Sequence, residues 1–472
     1  MKRIAIVGGG ISGLSAAFAL EQKRQTGIAC EYVLFEASSR LGGVIQTEEI
    51  EGCVVEAGPD SFLTEKPWAS RLCQQAGIGD QLIGSNDAQR KTFILIKGKL
   101  VPLPDGLMFM VPTKLLPTAL SPLFSVGTKV RMLRELFYRP RKAGNDESVA
   151  SFIGRHYGSE MVERLADPLL AGVYGGESSQ LSVRAVLPRF ADMEAKHGSL
   201  GRGMLSSGRK MAKSGGTTPN PIFTSLRNGM QQMVDAIEQQ LAKQSIRKDT
   251  VVRAVQFRGI AWELVSNLGT ESFDGLILAL PAYQAAELVE GSNQPLAQEL
   301  AEIAYTSSTT VALGYGNDVR AALPAGFGFL VPQAKNRKIL ATTFVHNKFL
   351  YRAPSDKALL RCFLGGPGAE AMLKSSDEEI VAAVRQDLHD ILGIRADPHF
   401  VRIYKWKQAM AQYNVGHLER RARIESLLKP HVNLALAGNA YDGIGVPDCV
   451  RAGEDAALRI LNAVGLRQAV AT

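Results

Sequence analysis

The sequence predicts an α/β protein, α+β overall, in which one parallel-sheet unit is built from both ends of the chain. Near the N-terminus, a short apolar run at residues 4–7 leads through three glycines into a helical pattern with Leu14 and Phe18 on one face. Near the C-terminus, residues 432–437 are again apolar, and a glycine-rich turn and a second helical pattern follow. Strand, turn and helix at both ends indicate a Rossmann-like unit whose segments meet in space.

The glycines after the first strand have the spacing Gly8-x-Gly10-x-x-Gly13. In such a turn one glycine makes the tight bend, one lets the backbone approach a pyrophosphate, and one allows close packing of helix on strand. The helix that begins here directs free N–H groups towards the phosphates. We therefore predict that Gly8, Gly10, Ser12 and Gly13 bind a dinucleotide. The alternative is a glycine-rich loop of an ordinary α/β protein.

A second apolar run, residues 32–35, ends in Glu36, which lies 23 residues after Gly13. An acidic side chain at this position can accept hydrogen bonds from a ribose. Strand, helix and terminal acid thus occur in the order that dinucleotide binding requires.

The residues that follow Glu36 add a second motif, E-x-x-x-R-x-G-G, with Arg40, Gly42 and Gly43 at its fixed positions. This pattern resembles the superfamily of FAD-containing amine oxidases, phytoene desaturases and porphyrinogen oxidases. The resemblance implies that Glu36, Ala37, Arg40 and the two glycines contact FAD, with Arg40 and the glycines on the pyrophosphate side. The expected cofactor is therefore FAD and not NAD.

Narrower motifs extend the resemblance along the chain. Residues 58–62, G-P-D-S-F, are similar to a segment of oxygen-dependent porphyrinogen oxidases, especially the Gram-positive bacterial type that acts on coproporphyrinogen III. Read alone, the segment is a turn. The resemblance implies that Gly58, Pro59 and Asp60 lie at the cofactor, that the backbone of Val252 meets the adenine, and that Trp406 lies near the flavin.

The last motif is the glycine-rich turn at residues 438–447, which precedes the C-terminal helical pattern. We expect Gly438, Gly445, Val446 and Pro447 to contact the flavin. A helix N-terminus directed at the flavin C2 carbonyl and N1 would stabilise the negative charge of the reduced cofactor.

Substrate contacts are predicted from two further stretches. Residues 168–176 are similar to the porphyrinogen oxidase motif P-x-x-x-G-V-[YF]-[AG]-G, in which the small residues Ala171 and Gly172 would let a flat macrocycle approach the backbone. By the same resemblance, Leu330 and Phe349 lie near positions that sandwich the tetrapyrrole. Helix-end chemistry for the first stretch and ordinary core packing for Phe349 are the alternatives.

Composition narrows the choice of function. The chain of 472 residues has a net charge of +8, 46% hydrophobic and 21% charged residues, and no uninterrupted 18-residue apolar run. The positive charge favours acidic partners, but neither zinc-finger spacing nor an aromatic RNA-binding signature is present, so nucleic acid is not expected. Five scattered cysteines without C-x-x-C indicate no disulfide framework and no metal site, and we expect a cytoplasmic protein.

Residues 100–142 combine apolar segments, broken by prolines, with a basic cluster. This combination predicts peripheral contact with an anionic membrane, and a helical subdomain with solvated arginines is the alternative. The prolines are Pro112, Pro117 and Pro122, and the basic residues are Lys129, Arg131, Arg134, Arg139, Arg141 and Lys142. We also predict a helical pattern over residues 146–170 that ends at Pro168, and a linker in the Gly-, Ser-, Lys- and Pro-rich stretch 198–221.

The predicted domains alternate along the chain. The FAD-binding domain takes residues 1–75, 222–289 and 416–472; the substrate domain takes 76–99 and 290–415; a helical, membrane-associating domain takes 100–205; and 206–221 is the linker.

The implied reaction is oxidation of a porphyrinogen to a porphyrin in heme biosynthesis, with six electrons passing in three FAD cycles to O2, which gives H2O2. No catalytic acid or base is predicted, and His417 is read as structural. Plant and animal members carry an arginine, read as a propionate contact, where this chain has Thr92, so that contact is not expected here. The narrow motifs favour coproporphyrinogen III as the substrate, and protoporphyrinogen IX is the close alternative. Other cations that could serve the propionates are Arg90, Lys91, Lys97, Lys99, Lys196, His197 and Arg202.

A flavin amine oxidase, a carotenoid desaturase and a nucleotide-binding scaffold without turnover are the competing functions. A homodimer is among the assemblies considered.

Overall fold

The computed structural model describes residues 1–108, 110–141, 144–213, 221–332, 337–366 and 369–466. Lys142 of the predicted basic cluster and residues 214–220 of the predicted linker lie outside these ranges.

The strands, in chain order, are β1 Lys2–Val7, β2 Cys30–Phe35, β3 Thr47–Ile50, β4 Cys53–Glu56, β5 Phe62–Leu63, β6 Leu82–Gly84, β7 Thr92–Ile96, β8 Lys99–Pro102, β9 Leu107–Met108, β10 Val111–Pro112, β11 Phe223–Leu226, β12 Ile246–Arg247, β13 Val252–Phe257, β14 Trp262–Ser266, β15 Gly269–Phe273, β16 Gly275–Leu278, β17 Tyr305–Tyr315, β18 Gly328–Leu330, β19 Ile339–Phe344, β20 Ala358–Leu364, β21 Phe400–Ala411 and β22 Leu434–Leu436.

The helices are α1 Ile11–Gln25, α2 Trp68–Gln75, α3 Leu115–Leu120, α4 Val126–Glu135, α5 Val149–Tyr157, α6 Ser159–Met161, α7 Asp167–Tyr174, α8 Val183–Val186, α9 Pro188–His197, α10 Leu200–Lys213, α11 Gln231–Gln240, α12 Ala282–Val289, α13 Gln294–Ala301, α14 Asn317–Ala322, α15 Val345–Lys348, α16 Ala369–Lys374, α17 Asp377–Leu392, α18 His417–Leu428 and α19 Val446–Ala463.

A five-stranded parallel sheet joins segments from three parts of the chain. Its order is β12-β2-β1-β16-β22, and β1 pairs in parallel with both β2 and β16. β22 adds to the far side of β16, with Leu276 opposite Leu434. The predicted Rossmann-like unit that is split across the chain is therefore confirmed.

Helices α1 and α19 pack against each other on one face of this sheet. Leu14 and Ala17 of α1 and Val450 and Ala457 of α19 are fully buried in one core. The approach is close, because a Cβ atom at Gly453 would lie 2.1 Å from the Ser12 carbonyl oxygen. The other face is covered by the meander β13-β14-β15 and by α12 and α13, with Trp262 fully buried among them.

A second, seven-stranded sheet has the order β21-β17-β20-β19-β18-β7-β8. Its pairs are antiparallel except β18 with β7. Helix α17 covers one face through Ile380, Val384 and Leu388, and a capping box of Ser376 and Glu379 starts this helix. Strands β7 and β8 form an antiparallel hairpin around Lys97. Because β8 begins at Lys99, the domain boundary predicted at residues 99/100 falls inside a strand of this sheet.

A separate hydrophobic core lies among helices α4–α10. The prediction that a helix ends at Pro168 is wrong. A π-helical turn, Val162–Ala166, runs directly into α7, and the αL residue Gly175 follows the last turn. Pro168 directly follows this π-helical turn, where the regular i→i−4 hydrogen bonding is already interrupted, and the helix therefore accommodates it.

The predicted linker is also corrected, because α10 continues to Lys213, so residues 206–213 are helical. Leu200 is buried in the helical core and Met204 packs against it. The glycines that suggested a linker serve packing instead: a Cβ atom at Gly203 would lie 2.8 Å from Met193 Cγ of α9. None of the helices in the described residues combines the length and the hydropathy of a membrane-spanning segment.

His346 of α15 predicts a pH dependence of stability. It is 1% exposed, and its Nδ1 accepts a hydrogen bond from the Leu359 backbone N–H at 3.1 Å. Burial is the main cause that lowers the pKa of His346 to about 4. Between pH 6.5 and 4 the unfolded chain therefore binds the proton more readily, and stability falls as the pH falls through this window.

We expect His346→Asn, which keeps an acceptor but cannot take up a proton, to lose less stability than the wild type between pH 6.5 and 4. The difference should approach roughly 1 kcal/mol per pH unit in denaturant titrations at a series of pH values. Equal slopes of the free energy of unfolding against pH for both proteins would contradict the assignment of a buried neutral imidazole.

Candidate cofactor and substrate site

The three fingerprint glycines have different surroundings. A Cβ atom at Gly13 would lie 1.8 Å from the Gly8 carbonyl oxygen, and one at Gly8, where φ is +106°, would lie 2.4 Å from the Ala279 carbonyl oxygen. Gly10 has no atom within 4 Å of such a Cβ. Gly8 and Gly13 thus allow the turn and the packing of α1, whereas Gly10 faces open space at the helix N-terminus. This is the arrangement that a bound pyrophosphate requires.

Glu36 lies at the end of β2 with its carboxylate held in place. Oε2 accepts from the Gly9 N–H at 2.7 Å, and Oε1 accepts from the N–H and the hydroxyl of Ser38 at 2.8 and 2.7 Å. A carboxylate offers about four acceptor sites, so capacity remains for a ribose hydroxyl. The Glu36 carbonyl also accepts from the Thr250 N–H, which brings the start of β13 and Val252 next to this end of β2.

The Arg40 segment adjoins the glycine turn. Gly42 donates its N–H to the Gly9 carbonyl at 2.8 Å, and a Cβ atom at Gly43 would lie 3.2 Å from Gly10 Cα. The Arg40 guanidinium donates to backbone carbonyls of its own turn, those of Leu41, Gly43 and Ile45. The described contacts of Arg40 therefore hold the turn that faces Gly10.

The turn before α19 closes the same region from the C-terminal segment. Gly438 follows β22, and Gly445 is the N-cap of α19. Pro447 and Asp448 lie in the first turn, and Asp448 is buried and pairs with Lys66 at 2.6 Å. The residue Val446 begins this helix, whose unpaired N–H groups and dipole favour an anion at this end.

Residues 57–61 stand between the cofactor turns and the seven-stranded sheet. A Cβ atom at Gly58 would lie 1.9 Å from the Val44 carbonyl oxygen, next to the Arg40 segment. From the other side, Trp406 Nε1 donates to the Ala57 carbonyl at 2.9 Å, and Arg361 donates to the Gly58 carbonyl. The predicted cofactor residues Gly58, Pro59, Asp60 and Trp406 are thus brought together.

Asp60 anchors this turn to the sheet. Its carboxylate accepts from Lys348 Nζ at 3.0 and 3.1 Å. Burial alone would raise the pKa of Asp60, but the charges of Lys348 and Arg361 outweigh it and hold the pKa well below its usual range. Asp60 therefore stays ionised at neutral pH.

Sequence reasoning missed the charged side chains behind this turn. They are Glu56, Lys348, Arg352 and Arg361, each less than 10% exposed. The available signal was a charge inside an apolar strand, as in Arg361 of A-L-L-R-C-F-L.

The predicted substrate residues differ in exposure. Ala171 and Gly172 lie on α7, and a Cβ atom at Gly172 would meet nothing within 4 Å. Leu330 is half-buried at the end of β18 and packs against the helical core, so it borders the same junction of helices and sheet. Phe349 is fully buried, and its ring lies 5.8 Å from the Arg352 guanidinium. Substrate contact by these four residues stays a prediction.

The G-V-Y-G-G motif also approaches the C-terminal turn. Burial raises the pKa of Tyr174 to about 12, and the carboxylate of Asp448 adds to the shift. The Tyr174 carbonyl accepts from Gln412 Nε2 of the segment after β21 at 2.6 Å. Helix α7 thus ends beside the N-terminus of α19.

His417 fits the structural interpretation. It stacks on Tyr413 with ring centroids 4.0 Å apart, and its Nε2 lies 3.1 Å from the Tyr441 carbonyl. Burial lowers the pKa of His417, so the imidazole is neutral.

Comparison with known proteins assigns the family. Residues 11–461 match the model of the family described as flavin containing amine oxidoreductase. Coproporphyrinogen III oxidase of Bacillus subtilis is 34% identical over 464 residues, which is 96% of this chain and 97% of that protein. Protoporphyrinogen oxidase 1 of Arabidopsis thaliana chloroplasts is 31% identical, over 97% of this chain and 87% of that protein.

Solved structures agree with this assignment. A protein from Exiguobacterium sp. 255-15, provisionally assigned as a protoporphyrinogen oxidase, has a TM-score of 0.86 and 32% identity over 98% of this chain and 99% of its own. Cyclohexylamine oxidase from Brevibacterium oxydans, at 18% identity, covers 98% and 99% of the two chains with a TM-score of 0.70, and shows the shared fold alone. The predicted superfamily and its FAD cofactor are confirmed, and the chain belongs to the family of flavin containing amine oxidoreductases.

Proposed function

We propose that this protein oxidises a porphyrinogen to a porphyrin in heme biosynthesis, with coproporphyrinogen III as the preferred substrate and O2 as the final electron acceptor. The observation that carries the proposal is the similarity, over nearly the full length of both chains, to proteins named coproporphyrinogen III oxidase. The folding of three distant segments around Gly10 supports it, because a flavin enzyme needs one continuous cofactor cradle.

The residues present fit FAD. Gly10 leaves room for a pyrophosphate, Glu36 retains acceptor capacity for a ribose, and the N-terminus of α19 favours negative charge. When bound, FAD supplies the two-electron acceptor that the reaction needs. The chain's own part is to bind and orient: the 57–61 turn joins the cradle to the seven-stranded sheet, and α7 ends beside α19.

The junction between α7 and the seven-stranded sheet is our proposed macrocycle site. Gly172 faces open space there, and Leu330 borders it. Of the cations suggested for the propionates, Arg202 is engaged, because its guanidinium donates to the carbonyls of Tyr138 and His197. Lys196 and His197 lie in the last turn of α9, not on a loop. Arg90, Lys91, Lys97 and Lys99 are exposed at the ends of the β7–β8 hairpin.

A substrate comparison tests the proposal. Coproporphyrinogen III carries four propionates and protoporphyrinogen IX two, and several dispersed cations suit the former, since an unpaired carboxylate in a buried site costs several kcal/mol. We expect a higher kcat/KM for coproporphyrinogen III under air, with about three H2O2 formed per porphyrin. Preference for protoporphyrinogen IX would overturn the substrate assignment, and oxidation of neither by a yellow protein would overturn the function.

Peripheral membrane contact is proposed for the apolar surface of α3, α4 and the residues just after α4. This surface consists of six exposed hydrophobic side chains, those of Leu116, Leu120, Val126, Val130, Leu133 and Phe137. Phe137 is 83% exposed and Leu120 is 77% exposed. Exposed basic residues accompany it, among them Arg131 and Arg134. An apolar surface beside positive charge is suited to an anionic bilayer.

We expect the protein to bind phosphatidylglycerol vesicles at low salt and to lose part of that binding as salt screens the charges. Phe137→Ser should weaken vesicle binding at least about tenfold, because a buried aromatic side chain contributes roughly 1.5–3 kcal/mol. Ile260→Ser, at an equally exposed position on the β13–β14 turn, is the matched control and should change nothing. Wild-type protein that ignores the vesicles at low salt would contradict the proposal.

A further inference from the structure

A cluster of charged side chains is buried behind the 57–61 turn, and its charges do not balance. Arg352 pairs with Glu56 at 2.7 Å, and Lys348 pairs with Asp60 at 3.0 Å. Arg361 is 5% exposed and, among the described residues, lies within 4 Å of no carboxylate. Three cations thus face two carboxylates.

Arg361 reaches from the seven-stranded sheet to the 57–61 turn. It lies in the central part of β20, opposite Ala312 of β17 and Thr343 of β19. Its Nη2 donates to the Gly58 carbonyl, whose turn touches Val44 on the other side, while its Nε has no hydrogen-bond partner. The side chain therefore crosses from the sheet to the turn that borders the cradle.

An unbalanced buried cation is costly, and burial lowers the pKa of Arg361 accordingly. A buried cation can stabilise an anion that forms nearby, because charges interact more strongly in a site that excludes water. Uptake of two electrons and one proton by oxidised FAD leaves the flavin with one additional negative charge. The electrons and the proton come from the substrate in the proposed reaction.

We propose that Arg361 is a positioning residue for electron transfer: its unpaired positive charge, held against the Gly58 turn, stabilises the reduced, anionic flavin and raises the reduction potential of the bound cofactor. The inference rests on the proposed function for the source of the electrons and on family membership for the flavin. It does not require Arg361 to touch the substrate.

The test measures the flavin reduction potential in purified holoprotein against a reference dye. We expect Arg361→Gln to lower the equilibrium constant for flavin reduction about tenfold. For a two-electron couple this corresponds to a reduction potential about 30 mV more negative. A charge acting over roughly 10 Å at an effective dielectric of about 20 has an effect of this order. Arg361→Lys keeps the positive charge, so its equilibrium constant for flavin reduction should stay within about twofold of the wild-type value.

Glu56→Gln should shift the flavin reduction potential in the direction opposite to Arg361→Gln. It removes a carboxylate from the same cluster without touching Arg361, so the excess positive charge grows and the potential should rise. If the charges of this cluster had no effect on the flavin, neither Arg361→Gln nor Glu56→Gln would shift the potential. Flavin content and melting temperature of each variant show whether it is folded and loaded.

The outcomes separate the inference from the proposed function. If Arg361→Gln is loaded with FAD and the equilibrium constant for reduction of its flavin stays within about twofold of the wild-type value, the inference is overturned. If Arg361→Gln fails to fold, the other two variants decide. The inference is overturned by an unchanged or lowered reduction potential in Glu56→Gln, or by a tenfold smaller equilibrium constant for flavin reduction in Arg361→Lys. A wild type that holds FAD and shows these shifts but oxidises no porphyrinogen overturns only the proposed function.

Discussion

Gly10→Val is expected to yield a folded protein that holds no flavin. The backbone of Gly10 has φ −69° and ψ 177°, which valine adopts readily, and a Cβ atom there meets no protein atom within 4 Å. The added side chain would instead occupy the space in front of the α1 N-terminus, where we place the pyrophosphate. We expect at least a hundredfold loss of FAD affinity with circular dichroism unchanged, since losing the phosphate contacts costs at least about 3 kcal/mol.

Two controls bracket this variant. Gly13→Val places a Cβ atom 1.8 Å from the Gly8 carbonyl oxygen, so the protein should fail to fold. Gly291→Val adds the same side chain at a site with nothing within 4 Å, outside the cradle, and should keep both fold and colour. A Gly10→Val protein that is fully yellow would show that the pyrophosphate lies elsewhere.

Arg352→Met should destabilise the protein by about 3–5 kcal/mol. Arg352 and Glu56 are at most 3% exposed on their side chains, and the substitution leaves the Glu56 carboxylate buried without its cation. Arg352 also donates to Ser225 Oγ at 2.6 Å, and Glu56 accepts from the Met230 N–H at 2.8 Å. The pair therefore ties β4 to β11 and to the start of α11, and its loss should appear as an earlier unfolding midpoint in urea.

A double substitution isolates the charge. Arg352→Met combined with Glu56→Gln removes both charges of this pair and should recover more than half of the lost stability, because neither ion of the pair is left without its partner. Arg71→Ala breaks the exposed pair with Glu454 and should cost less than about 1 kcal/mol. Equal losses for the buried and the exposed pair would contradict the structural role given to Arg352.

The parallel unit could be predicted from sequence because its signals are local. The spacing of Gly8, Gly10 and Gly13, and the change from strand to helix periodicity around them, depend only on neighbouring residues. The same holds for the capping box at Ser376 and for the β7–β8 hairpin. In each case one element and its cap or turn are contiguous in the chain.

The buried charges could not be predicted, because their partners are far apart in sequence. Lys348 pairs with Asp60 across 288 residues, and Arg361 reaches Gly58 across 303. Likewise, the extent of α10 was missed since Gly201 and Gly203 suggest a linker locally, and only the packing of α10 against Leu136 and Met193 explains them. Tertiary contacts override local propensity at such positions.

Anaerobic titration of the yellow holoprotein with coproporphyrinogen III tests the central claim most directly, since it observes the flavin and the macrocycle together without O2. Each porphyrinogen carries six electrons, so about one third of an equivalent should bleach the flavin absorbance completely while porphyrin appears, and air should restore the colour. A flavin that stays oxidised with coproporphyrinogen III and protoporphyrinogen IX, but is bleached by an amine, would contradict the account and assign the chain to amine oxidation.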